Sequence, residues 1–151
     1  MADREKPRSW QLVQAMVACL QQIRTAAGYR TDAGANVTDE PSQVPDESNP
    51  ILLAVMVDTT QRPTDPNVPL GGKLASIAIL AKISCDFDNG QEVLHDLIDD
   101  IDFAVQGRAV AFPKQTTYPR FASSQQIPGA DGINWIGVEL RYDATYLPLP
   151  R

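Results

Sequence analysis

A chain of 151 residues with 43% hydrophobic residues can bury roughly 70% of its unfolded surface around one core, which excludes general disorder and any need for a covalent staple. Its formal net charge of -6 has the wrong sign for a protein held to nucleic acid through phosphates, so direct sequence-specific nucleic-acid binding is not expected. No apolar run approaches the ~20 residues of a membrane span, and the charged stretch Met1 to Arg8 leads into no uninterrupted apolar segment, so the expectation is a soluble protein made in the cytosol, with no membrane partner.

In chain order, Leu12, Met16, Leu20, Ile23 and Ala27 recur at helical spacing and predict one helix, capped by the Ser9 hydroxyl and ended by Gly28 in the left-handed conformation. Tyr29 to Thr31 and Asn36 to Val37 flank Asp32-Ala33-Gly34, which suits a short hairpin. Thr38 to Pro50 reads as an exposed loop, because three prolines and four acidic residues leave it almost nothing apolar. The unbroken apolar run Ile51 to Val57 predicts a central strand covered on both faces. Thr59 to Gly72 is a second loop, with Pro63, Pro66 and Pro69.

The alternation of Ile77, Ile79, Ala81, Ile83 and Cys85 with their neighbours predicts a second long strand. Asp88, with Gln91 three residues on, suits a capping box for a second helix, whose apolar residues Val93, Leu94, Leu97, Ile98, Ile101 and Val105 run to Gly107. Ala109 to Phe112 and Tyr118 to Gln126 suit edge strands beside Pro113 and Pro119, with a turn at Pro128 to Gly132. A last strand places Ile136, Val138, Leu140, Tyr142, Ala144 and Tyr146 on one face and Glu139, Arg141, Asp143 and Thr145 on the other. Together these predict one α+β domain over 1–151, with a charged N-terminal arm at 1–8 and a Pro-containing tail at 147–151. Its antiparallel or mixed sheet carries both helices on one face, and the loops are long and rich in proline.

Little in the chain points to catalysis. The only histidine, His95, lies on the acidic side of the second helix, away from any evident nucleophile, and Gly71-Gly72-Lys73 lacks the residues of a phosphate loop. Cys19 and Cys85 fall in apolar periodic stretches and read as reduced, buried residues. No catalytic, cofactor or metal site is assigned, and the expectation is a protein that is not an enzyme.

The candidate site is instead an interface. Glu92, Asp96, Asp99, Asp100 and Asp102 crowd the second helix with like charges, the last three near the negative end of its dipole, a repulsion that a basic partner surface would relieve. The competing reading takes His95, Asp96, Asp99 and Asp100 as ligands of a divalent cation, with the helix over 89–105 as the centre of a metal-binding, enzyme-like domain. Pro41 and Pro45 in the first loop, and Pro63, Pro66 and Pro69 in the second, are read as belonging to assembly arms, since connections longer than ~12 residues are usually functional or disordered.

The first helix, the phrase Ala26-Ala27-Gly28-Tyr29-Arg30-Thr31-Asp32-Ala33-Gly34-Ala35-Asn36-Val37, the apolar strand, the strand-helix unit and the terminal strand Val138 to Tyr146 together resemble the tail terminator, or tail completion, family of long-tailed bacteriophages, of the minor tail protein U type. The likeness runs from about Trp10 to Tyr146 and rests on element order and that helix-to-turn phrase. It implies a small α+β protomer that assembles in the host cytoplasm into a ring of six on the last ring of tail-tube subunits. There it would stop tube growth and offer a surface to the head-tail connector, so that the implied partners are itself, the tail-tube protein and the connector or neck protein, in the virion at the head-proximal end of the tail. The resemblance brings no catalytic residues or cofactors. Other phage neck or head-tail connector proteins share the same outline and stand as the nearest alternative.

Overall fold

A computed structural model describes residues 4–129 and 131–150. The first helix, α1 (Arg8–Leu20), buries Leu12, Val13, Met16, Cys19 and Leu20 along one stripe. Pro7 occupies its cap position without a side-chain bond, so Ser9 is not the cap. The helix also stops short of the expected Ala27. Arg24 is extended, with φ -141°, while Ile23 remains fully buried. The backbone N–H and hydroxyl of Thr25 both donate to the Asp32 carboxylate, at 2.7 and 2.9 Å, a local alternative to continuing the helical ladder. A separate 3-10 turn, Thr25–Ala27, then ends at Gly28 with φ +94°, so the expected left-handed glycine closes a different element.

The expected hairpin around Asp32-Ala33-Gly34 does not form. Ala33–Ala35 is another 3-10 turn, and Gly34 is needed for closeness rather than for a positive φ. Its N–H donates to the carbonyl of Ile23 at 2.9 Å, and a Cβ there would lie 2.6 Å from the Gln21 carbonyl oxygen and 2.7 Å from that of Ile23.

Five strands form one mixed sheet: β1 (Val37–Thr38), β2 (Ile51–Gln61), β3 (Lys73–Ser84), β4 (Arg120–Ile127) and β5 (Trp135–Tyr146), in the order β1-β2-β3-β5-β4. β1 runs parallel to β2, and every other pairing is antiparallel. The second helix, α2 (Gly90–Gln106), packs with α1 on the face formed by Leu53 and Val55 of β2, Ile77 and Ile79 of β3, and Val138, Leu140 and Tyr142 of β5. The α+β class, with two helices on one face of a mixed sheet, is as the patterning predicts.

Several boundaries move. β2 continues past Val57 to Gln61, which leaves 62–72, rather than 59–72, as the connection to β3. Asn89 caps α2 with no side-chain bond, so Asp88 and Gln91 make no capping box. Ala109 to Phe112 is not a strand: Arg108 turns the chain at φ +51°, and Phe112 then packs edge-to-face on Tyr118, so that the outer edge consists of β4 and a single bridge from Thr116 to Tyr146. Cys85 lies beyond the end of β3 and is exposed, unlike Cys19, whose thiol is buried against the Ala104 carbonyl and pushed up to about 11 by that burial. The expected turn at Pro128 to Gly132 contains Ala130, and the arm at 1–8 and the tail at 147–151 contain Met1 to Asp3 and Arg151; these five residues lie outside the described residues.

The two glycines of the α1–β1 segment separate close approach from conformation. Gly34→Ala should cost about 3 kcal/mol, as over-packing against rigid backbone does, whereas Gly28→Ala, in open space, should cost only about 1–2 kcal/mol for its left-handed φ. Urea midpoints of the two variants, at equal denaturant slopes, check the ranking.

Candidate functional site: the acidic helix and the connecting segments

The 3.6-residue period of α2 does not leave its acids on one solvent face. Asp100 falls among the inward residues Leu97, Ile101 and Ala104 and is only 2% exposed. Burial of a carboxylate is tolerable only when its oxygens find donors, and here they do. The backbone N–H of Arg30 donates to one oxygen at 2.9 Å, while the N–H and hydroxyl of Thr31 donate to the other at 2.9 and 2.8 Å.

Two neighbours are also engaged within the chain. Asp99 accepts from the Arg30 guanidinium at 2.9 Å, an open, solvent-screened pair on the surface that holds Arg30 above its ordinary range. Asp102 accepts from the Tyr142 hydroxyl at 3.1 Å and from the Gln106 amide at 2.7 Å. Burial first, and then the Asp102 charge, push the Tyr142 phenol well up.

The expectation of an uncompensated acidic face is corrected accordingly. Asp100 belongs to the interior and cannot meet a partner, and the charge of Asp99 is shared with Arg30. Glu92 remains exposed and Asp96 half-buried, beside the exposed His95. Nor do His95, Asp96, Asp99 and Asp100 converge: among the described residues no group of three or more His, Cys, Asp or Glu side chains is placed to hold a metal ion.

The proline-bearing connections differ from each other. In 39–50, the carbonyls of Pro41 and Gln43 accept from the Lys82 ammonium at 2.6 and 2.7 Å, which ties this segment to the sheet face opposite the helices. Lys82 is 3% exposed, lies 4.9 Å from the centre of the Trp135 ring, and has its pKa lowered by burial. Asp46 and Asn49 close a local turn, and Pro45 is half-buried beside it, so the first segment is a strap rather than a free arm.

The second connection, 62–72, stands clear of the core. Pro66 and Pro69 are exposed, Pro63 is half-buried, and Leu70 is fully exposed beside Gly71 at φ +86°. The exposed ends of β2 and β3, Asp58 to Gln61 and Lys73, continue this projection.

Sequence reasoning missed Lys82 and Leu70, although each leaves a signal: a cation inside an apolar strand, and a large apolar side chain inside a polar connection. It also missed the ion-pair cluster on the strap side of the sheet, where Arg141 meets both Asp58 and Glu139 at 2.5 Å. Asp58 lies just beyond the expected end of the central strand at Val57 and inside the observed β2.

Two sets of variants test these assignments. Asp100→Asn should destabilise the fold by about 1–3 kcal/mol, because a carboxamide offers one acceptor oxygen where a charged carboxylate satisfies three donors, while Asp96→Asn should stay within about 0.5 kcal/mol; denaturant titration measures both. For Lys82 the lowered folded pKa means that the folded state binds fewer protons than the unfolded chain just below the ordinary lysine value of 10.5. Stability should therefore rise with pH through that window. Lys82→Met should abolish that slope and speed amide exchange in 39–50, measurable by hydrogen exchange.

A comparison with protein-family models finds no match to this chain, and a comparison with curated proteins finds none either.

Proposed function

We propose that the chain is a structural virion protein, a tail terminator of a long-tailed bacteriophage that works as a ring on the end of the tail tube, stops its polymerisation and offers a surface for head-tail joining. The observation that carries this reading is the projecting connection 62–72. It presents Leu70, Pro66 and Pro69 to solvent at the end of a two-stranded extension. Burying one leucine side chain contributes about 1.5–3 kcal/mol, a gain this arm can obtain only from another molecule.

The element order gives further support: α1, the turn phrase, β2, the β3–α2 unit and β5 follow the succession on which the resemblance rests. In this reading the chain acts through binding surfaces and not by catalysis. It uses no cofactor, and its partners are further copies of itself, six in a closed ring, together with the tail-tube protein and the head-tail connector. It resides at the head-proximal end of the tail, after assembly in the host cytoplasm.

Leu70→Ser should leave stability within about 0.5 kcal/mol, as for a surface substitution, yet abolish tail completion; thermal unfolding and electron microscopy of the tails measure the two effects. In images of assembled particles with this chain labelled, the label should form a ring between tube and head. A label at the tail tip, along the tube, or on tailless heads would overturn the assignment, the last in favour of a connector.

A further inference from the structure

Both ends of the sheet present free backbone. Among the described residues β4 pairs only with β5, and its eight residues are exposed except for the half-buried Ile127. At the opposite end, β1 covers only Leu53 and Ala54 of β2, so that the outer side of Val55 to Gln61 carries no strand among the described residues. Free strand edges are templates for pairing, and lone sheets usually blunt them with proline or inward-pointing charge. Neither stretch contains a proline.

The directions of the strands make these two edges a matching pair. β2, β3, β5 and β4 alternate in direction, so β4 runs opposite to β2. A second copy placed beside the first, in the same sheet orientation, therefore meets it with β2 antiparallel to β4. Neither edge brings a like-charge repulsion to this contact: Arg120 is the only charged residue of β4, and Asp58, the only one in Val55 to Gln61, already pairs with Arg141 of its own copy. Ser123 to Gln126 in β4 and Thr59 to Gln61 in β2 are hydroxyls and amides that exact little for desolvation at a wet edge.

We propose that β4 of one copy adds to the free stretch of β2 in the next copy, giving a head-to-tail antiparallel contact that continues the sheet from subunit to subunit. The proposal rests on the ring reading above and names its contact. A head-to-tail contact uses both of these free stretches in every copy once the ring closes. A twofold pairing of β4 with β4 would leave the β2 edge of both copies uncovered. The contact also carries its own limit on register, since each edge has one irregularity, between Val57 and Thr59 in β2 and between Phe121 and Ser123 in β4.

Disulfide trapping tests the contact. Ser124 lies opposite Leu140 and Thr60 opposite Ala75, both partners belonging to the helix-side core, so the two side chains share one face of the sheet. In a full-length Cys85→Ser background, Ser124→Cys and Thr60→Cys together should give, on oxidation, a ladder of linked multimers, and each substitution alone should give no linked species. A mixture of the two single variants should give linked dimers only. Gln126→Cys with Thr60→Cys covers the neighbouring register on the same face. Linkage by Ser124→Cys alone would overturn the proposal in favour of the twofold contact. Native mass spectra showing rings without linkage in either double variant would overturn the strand contact and leave the ring reading standing. Linked multimers from a protein that particle images place away from the tube end would uphold the contact and remove the terminator role. A chain that is monomeric at every concentration and yields no linkage would overturn the contact outright.

Discussion

The Asp100 carboxylate anchors the segment that joins α1 to the sheet. It projects from α2 into the interior and binds two consecutive backbone amides, those of Arg30 and Thr31, together with the Thr31 hydroxyl. Charge-assisted bonds of this kind are among the stronger polar contacts in a protein, and a carboxylate buried this deeply depends on all of them. With Thr31 held, Asp32 reaches back to Thr25, Gly34 docks beneath the end of α1, and Asn36 enters the register of β2. Its side-chain amide donates to the Ile51 carbonyl, and its own carbonyl accepts from the N–H of Leu53. The short β1 strand follows immediately. Tyr29, packed edge-to-face on Phe103 at 5.4 Å, closes the outer side of the same junction.

The periodic elements were legible because burial writes its period directly into the chain. Leu12, Met16 and Leu20 on α1, Val93, Leu97 and Ile101 on α2, and the alternating residues of β3 and β5 all face the core that their spacing indicates. Legibility failed where a specific polar contact overrides periodicity. Ile23 and Ala27 continue the helical stripe, yet the bonds from Thr25 to Asp32 draw the chain out of the helix. Thr59 to Gln61 look like a loop, but cross-strand pairing with Leu74 to Ser76 extends β2 through them.

The acidic helix is the sharpest case. Spacing places Asp100 one position from a solvent-facing neighbour, and only the fold shows that the amides of Arg30 and Thr31 await it inside. Charge counting along α2 could not see donors supplied by a segment some seventy residues earlier, as the separations of 69 and 70 between the bonded residues record. Lys82 is the converse: a cation in an apolar strand whose partners are carbonyls of a connection that contributes no opposite charge at the contact. In both cases backbone groups, which carry no sequence signature, satisfy the charge.

The pairing of β3 with β5 has a consequence for how the chain reaches this state. β2 and β3 are neighbours in sequence and can meet early, as can β4 and β5, but the central seam joins Ser84 to Trp135 and Lys73 to Tyr146. Closing so large a loop costs entropy before any contact in the seam can offset it, so the seam should set the folding rate. Until it closes, the inner edges of both hairpins lie open in the very strands that later form the middle of the sheet. A nascent chain released before Tyr146 has emerged would carry those edges unprotected, so the interval between synthesis of β3 and completion of β5 is the period in which this protein is most exposed to misassembly.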